Sequence, residues 1–228
     1  MALLDFLKPK TKIRKIINLE DFFVVESTKE GNSTPFQKKV AYKSLILLII
    51  GRRGSGKTAL GMSFLEFFHE KTRKKCCILG FEKTKLPRWI QKVPNVKDAP
   101  LNSTVLIDEG GIVLSSRDSM KDRNKEISKI MTIARHKNLS LIFISQNSAM
   151  IDLNVLRLAD TLLLKEPSLL QAKFERKALK DIYEDIKERF KEKKEKAAYF
   201  FVWDDDYQGM MKFDLPEFWD EGVSKSFR

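Results

Sequence analysis

Ser44-Leu45-Ile46-Leu47-Leu48-Ile49-Ile50 runs directly into Gly51-Arg52-Arg53-Gly54-Ser55-Gly56-Lys57-Thr58, and the fold is decided at this junction. The first half is continuously apolar and rich in Leu and Ile, the pattern of a strand buried on both faces of a parallel sheet. The second half satisfies G-x-x-x-x-G-K-[ST] at every fixed position. Beyond it, Leu60, Phe64, Leu65, Phe67 and Phe68 recur at helical spacing within Thr58 to Glu70, so an amphipathic helix is expected to follow the loop. A glycine-rich loop between a buried strand and a helix forms a phosphate cradle. Glycine reaches backbone conformations closed to other residues, which lets consecutive N–H groups turn inward where the helix begins. Gly51, Arg53, Gly54, Ser55, Gly56, Lys57, Thr58 and Ala59 are therefore the expected binding residues for a nucleoside triphosphate, ATP. Lys57 supplies a mobile positive charge for the β- and γ-phosphates, and the Thr58 hydroxyl is a ligand for Mg2+ that the phosphates also hold.

Thr104-Val105-Leu106-Ile107-Asp108-Glu109 has the form that complements such a cradle, an apolar strand ending in two acids. Adjacent carboxylates at a strand's carboxyl end are costly unless a cation or a reaction uses them. Asp108 is thus expected to hold the Mg2+ through a water, and Glu109 to polarise the water that attacks the γ-phosphate. A third strand, Leu141-Ile142-Phe143-Ile144-Ser145, ends in Gln146. If that strand lies between the two just described, Gln146 is positioned to touch the γ-phosphate and report its loss. Further short apolar segments, Cys76 to Leu79, Thr161 to Leu164 and Lys196 to Trp203, alternate with helix-length or loop-length polar stretches, which implies an α/β fold with a mainly parallel central sheet flanked by helices. Met120 to Lys137 and Leu169 to Lys196 read as helices, the second as solvated and ion-paired, and Asp204-Asp205-Asp206 as a turn.

The chain of 228 residues is expected to divide into an N-terminal leader over 1–40, the nucleotide-binding core over 41–205 and an acidic, aromatic tail over 206–228. With 43% hydrophobic residues it carries enough apolar material for a sizeable core, which excludes wholesale disorder and disulfide-stapled scaffolds. Cys76 and Cys77 are the two cysteines, and sequence neighbours do not reach ordinary disulfide geometry without strain. They are read as small apolar fillers in a reducing, cytoplasmic setting. The apolar runs are short, six residues for Leu45 to Ile50 and seven for Ala197 to Trp203, far short of the ~20 needed to cross a bilayer, and the basic residues follow rather than precede the first apolar residues, so no export signal is visible.

The formal charge of +12 is uneven: residues 44–98 carry 12 Lys and Arg against 4 acids, whereas residues 197–228 carry 3 against 7. Such an excess concentrates polyanions, with nucleic acid or an anionic membrane as the natural partner class. A Lys/Glu-rich surface suited to high temperature gives the same count. The basic cluster Lys71-Thr72-Arg73-Lys74-Lys75 with Lys83, Lys85 and Arg88 is a candidate phosphate-backbone surface, and Trp89 beside it is read as a core or interface filler.

The Asp-Glu pair and the strand-end Gln resemble the additional-strand, catalytic-Glu class of P-loop NTPases. Ala134-Arg135-His136-Lys137-Asn138-Leu139-Ser140-Leu141-Ile142-Phe143-Ile144-Ser145-Gln146, with the continuation Ile151 to Asp160, is similar to the FtsK/HerA superfamily of DNA-pumping ATPases, in particular the minimal viral genome-packaging and zonula-occludens-toxin-like forms. The resemblance covers residues 44–166. It implies ATP hydrolysis coupled to translocation of double-stranded DNA by a homo-oligomeric ring, usually a hexamer. It also implies that Arg135 reaches into a neighbouring subunit's nucleotide, with Arg117 and Arg157 as weaker candidates. No motif places channel contacts; Ser115 to Lys125, polar, rich in basic residues and close after the Asp-Glu pair, reads either as the channel loop or as a surface loop. The likeness is to the minimal forms, without the extra DNA-reading domains of the cellular relatives. Two other functions stay open: a phage-assembly ATPase docked on a membrane or membrane partner through Leu3 to Ile17, and a nucleotide-switched loader; a capsid or membrane-associated protein is a further candidate partner.

Overall fold

The structure, a computed structural model, describes residues 19–81, 86–108, 120–145, 153–168 and 177–220. Nine strands form one sheet: β1 (Phe23–Gly31), β2 (Ile46–Ile50), β3 (Cys76–Leu79), β4 (Ile90–Lys92), β5 (Thr104–Asp108), β6 (Ser140–Ser145), β7 (Thr161–Leu164), β8 (Tyr199–Trp203) and β9 (Tyr207–Phe213). Their order is β1-β9-β8-β7-β2-β6-β5-β3-β4. From β7 to β4 neighbouring strands are parallel, and β8, β9 and β1 add an antiparallel meander on the β7 side. The helices are α1 (Ser33–Tyr42), α2 (Lys57–Phe67), α3 (Met120–His136), α4 (Leu153–Leu158) and α5 (Lys177–Lys191).

Strand β2 alternates between two cores. Leu47 and Ile49 join the layer containing α2, with Leu60, Phe64 and Phe67, while Ile46, Leu48 and Ile50 join the opposite layer with Ile127 and Met131 of α3 and Tyr183, Ile186 and Phe190 of α5. Both faces are covered, which is why β2 reads as an unbroken apolar run rather than an alternation. Cys76 and Cys77 point into opposite layers as free, buried thiols, and burial pushes Cys76 up to about 12. They are fillers, as expected.

Two segments expected to lie outside the core supply strands of its sheet. Strand β1, within 1–40, pairs with β9, within 206–228, and β9 pairs with β8. The reason is aromatic burial: Phe23 of β1 is fully buried, stacked on Phe64 of α2 at 4.2 Å and edge-on to Phe200 of β8 at 5.8 Å. Leu19 and Phe36 are buried too, and each such side chain is worth about 1.5–3 kcal/mol. Lys29 to Pro35, within the expected leader, is the end of an edge strand and the start of α1, whose first turn is capped by the Asn32 side chain accepting from the Thr34 N–H. The acidic turn after β8 is as expected; the buried Asp204 carboxylate accepts from the Thr161 hydroxyl and the Lys39 ammonium and so ties α1 to the sheet. Helix α5 differs from the solvated helix expected. It buries Tyr183, Ile186 and Phe190 and keeps its ion pairs, such as Arg189 with Asp185, on the outer face.

Parallel registry sets the functional edge. Ile50 lies beside Ser145 on one side and Leu164 on the other, and Asp108 lies beside Ile144. The carboxyl ends of β2, β5, β6 and β7 therefore share one rim, where open α/β sheets place their ligands.

Candidate active site

The loop leaving β2 is shaped by two left-handed glycines. Gly54 has φ +76° and Gly56 φ +86°, conformations that cost other residues about 1–2 kcal/mol. Gly56 is the N-cap of α2 and offers no side-chain cap; a helix start of this kind, whose first N–H groups have no intrahelical acceptor, is a ready anion-binding end. Gly51 is needed for another reason, close approach: a Cβ there would stand 2.5 Å from Lys165 Cβ.

Lys57 is buried and donates to the carbonyls of Gly51 at 2.9 Å and Arg52 at 2.8 Å, folding its ammonium over the loop. The Ser55 hydroxyl is buried and has no hydrogen-bond partner among the described residues. A helix start without a side-chain cap, one orphaned hydroxyl and a folded-back lysine match what a bound polyphosphate needs, since buried polar groups otherwise find partners. Thr58 begins the second position of α2, and Asp108 closes β5. These two oxygen donors suit Mg2+, a hard cation that takes one or two protein ligands plus phosphates and waters; among the described residues no cluster of three or more His, Cys, Asp or Glu offers a competing metal site. Arg53 and Gly54 are exposed at the loop tip, and Ala59 packs into the α2 core.

Strand β6 lies between β2 and β5. This is the additional-strand arrangement on which the role of Gln146 was conditioned. Gln146 and Glu109 themselves lie outside the described residues, as do Arg117, Lys83, Lys85 and Ser115 to Ser119.

Arg135 is not at this rim. It closes α3 before β6 begins, at the amino edge of the sheet, about 20 Å from the loop along the six residues of β6. There its guanidinium donates to the Leu158 carbonyl at 2.9 Å and pairs with Asp160 at 3.0 Å, while the other Asp160 oxygen accepts from the Ile46 N–H at 2.7 Å. Within one chain it fixes the start of β2. Several members of the basic cluster are likewise engaged in the fold: Lys71 pairs with Asp21 at 2.9 Å, and Lys74 donates to the Ser140 hydroxyl while lying over Phe68. Trp89 is half-buried, stacked on His69 at 4.3 Å and edge-on to Phe218 at 5.6 Å, a filler as expected.

The sequence reading missed Lys165 and Glu166, directly after β7. The Lys165 N–H donates to Ile50 and the Arg52 N–H to the Glu166 carbonyl, extending the sheet past its strands to grip the loop. The Glu166 carboxylate takes Arg52 on one oxygen and Lys196 on the other, at 2.5 Å and 2.9 Å. Burial works to raise it, but hydrogen bonds from Lys196 and Arg52 prevail and hold it below the usual carboxylate range. Lys165 is fully buried; burial first, and then the nearby Lys57 ammonium, push its amine well below the usual lysine range. The signal was present in Leu163-Leu164-Lys165-Glu166, an apolar strand ending in charges, like the segment that marked Asp108.

No family model matches the sequence, and no curated protein sequence matches it. Solved structures do match. The genome packaging NTPase B204 from Sulfolobus turreted icosahedral virus 2, in complex with AMPPCP, superimposes with a TM-score of 0.52 at 14% identity, covering 76% of this chain and 99% of that one. Its complex with ATP-gammaS gives 0.51 at 17%, over 76% and 98%. B204 from Sulfolobus turreted icosahedral virus, described as a DNA-packaging ATPase, gives 0.51 at 16%, over 75% and 98%. The fold is similar to that of viral genome-packaging NTPases. That similarity extends over nearly the whole of the packaging NTPase, so the fold agrees with the resemblance read from Ala134 to Asp160. Among the described residues no helix is long and apolar enough to cross a membrane.

Proposed function

We propose that this chain is an ATPase of the genome-packaging type, which hydrolyses Mg2+-ATP to move double-stranded DNA as a homo-oligomeric ring. The observation that carries the reading is the built phosphate loop, with its orphaned Ser55 hydroxyl and folded-back Lys57, on a rim that also holds Asp108 across an inserted β6. The loop N–H groups and the start of α2 would bind the β-phosphate, and Lys57 would leave the Gly51 and Arg52 carbonyls for the β- and γ-phosphate oxygens. Thr58 and Asp108 would hold Mg2+, which when bound screens charge on the transferring phosphoryl group. Glu109, next in sequence to Asp108, would orient the attacking water and accept its proton, and Gln146, next to Ser145, would contact the γ-phosphate. Capture of the triphosphate is favoured by the cations of the loop, Arg52, Arg53 and Lys57.

For Arg135 to act on a neighbour's nucleotide, it would leave Asp160 and face that subunit from the amino edge. The test is ATPase rate against added duplex DNA for wild type, Lys57→Ala and Arg135→Ala, singly and mixed. Stimulation by duplex DNA, absent in Lys57→Ala, supports the motor. Restored activity on mixing the two variants supports the finger in trans, and none restored removes it. A DNA-independent rate would point away from translocation.

A further inference from the structure

A buried lysine bound only to carbonyl oxygens is a costly arrangement, because an ammonium taken out of water normally needs a carboxylate. Lys165 is such a case. Its side chain is fully buried, and its ammonium donates to the Ala197 carbonyl and the Tyr199 carbonyl, both at 2.6 Å. Among the described residues no carboxylate touches it: the neighbouring Glu166 is taken by Arg52 and Lys196. The Phe213 ring, 4.6 Å away, supplies only a weak attraction through its face.

What this cation holds is the short helical turn Lys196–Ala198 that precedes β8, and that turn is the backing of the phosphate loop. A Cβ on Gly56 would stand 2.8 Å from the Ala197 carbonyl oxygen and 3.5 Å from the Lys165 ammonium. The floor under Gly56 is therefore made of the very carbonyl that Lys165 grips, with no side chain between them. Lys196, in the same turn, is gripped by Glu166, whose other oxygen holds Arg52 of the loop. Two cations on adjacent stretches thus fasten one turn against one loop, from below and from the side.

We infer that Lys165 is a positioning residue for the phosphate loop: by clamping the turn before β8 beneath Gly56 it fixes the loop backbone in its nucleotide-receiving conformation. The inference rests on the reading of residues 51–58 as a nucleotide cradle. It goes further by making the C-terminal hairpin β8–β9 part of that cradle's mechanical support. A displacement of the turn reaches the N–H groups around Gly56 directly, and positioned groups lose effect steeply when shifted by about 1 Å.

The experiment compares wild type with Lys165→Met, which keeps length and apolarity but removes the donors, and with Lys196→Met. Calorimetry with ADP and with Mg2+-ATP reads affinity; amide hydrogen exchange without nucleotide reads loop order; circular dichroism reads folding. The expected result for folded Lys165→Met is nucleotide affinity about tenfold weaker, with faster exchange at both 54–58 and 196–199. A merely structural lysine would change the melting temperature but leave the affinity of the folded protein intact. If Lys165→Met is folded and both its affinity and its exchange at 54–58 equal those of wild type, the inference is overturned. Should Lys165→Met not fold, Lys196→Met decides: loosening of 196–199 that carries 54–58 with it supports the clamp, and loosening of 196–199 alone refutes it. Failure of wild type to bind nucleotide would defeat the cradle reading while the exchange comparison still judged the clamp.

Discussion

Gly54→Ala and Gly56→Ala form a pair in which the structure separates two costs. Both glycines have positive φ, +76° and +86°, so each alanine carries a backbone strain of about 1–2 kcal/mol. Among the described residues nothing lies within 4 Å of a Cβ added at Gly54, whereas at Gly56 the Cβ meets the Ala197 carbonyl oxygen at 2.8 Å. That oxygen is not free to retreat, since Lys165 holds it at 2.6 Å. Overpacking of this kind adds about 1–3 kcal/mol. The expected losses are therefore about 1–2 kcal/mol for Gly54→Ala and about 2–5 kcal/mol for Gly56→Ala. For a chain of this length each kcal/mol lowers the melting temperature by about 2–4 °C, so the difference is readable by calorimetry. Nucleotide affinity, measured on folded protein, is expected to fall more for Gly56→Ala. Equal melting temperatures for the two variants would refute the argument that the turn before β8 presses on the loop.

Other predictions follow from single side chains. Glu66 of α2 is buried and accepts the Glu217 N–H at 3.0 Å; burial, reinforced by Glu70 and Glu217, pushes its carboxyl up to about 7. A raised acid keeps its proton longer in the native state, so its contribution to stability declines as pH rises from about 4.5 to about 7. Glu66→Gln, which still accepts from Glu217, should be more stable than wild type by about 1–2 kcal/mol at pH 8 and indistinguishable below pH 4.5; the same gain at both pH values would contradict this. Arg135→Ala removes the Leu158 and Asp160 contacts of a half-exposed guanidinium and should cost about 1 kcal/mol in denaturant unfolding. Glu166→Gln, leaving Arg52 and Lys196 without their carboxylate, should raise the KM for ATP more than it lowers kcat, because it loosens the loop without touching the reacting atoms; the reverse split would count against its supporting role.

The parallel half of the sheet was legible because β2, β3, β5, β6 and β7 are buried on both faces and carry short unbroken apolar runs that need no partner to be recognised. The order β2-β6-β5 was implied by the resemblance of the Asp108-Glu109 pair and Gln146 to the additional-strand class, rather than by any property of the strands. The edge was not legible. β1 exposes Val24, Glu26 and much of its length to solvent, and only Phe23 is fully buried; β9 follows three consecutive acids and contains Gly209, so both resemble linker sequence. Strand β4, three residues with one buried, has no sequence signature at all. At the site, the cradle was written in its glycines. The grip of Lys165 and Glu166 was not, since it depends on contacts between residues far apart in sequence, 32 positions for Lys165 with Ala197 and 114 for Arg52 with Glu166.

The account depends most directly on whether residues 51–58 receive a nucleoside triphosphate. Titration of purified protein with ATP in the presence of Mg2+, by isothermal calorimetry, should give saturable binding that Lys57→Ala weakens by at least about tenfold. Absence of binding by folded wild-type protein, or equal binding by Lys57→Ala, would contradict it.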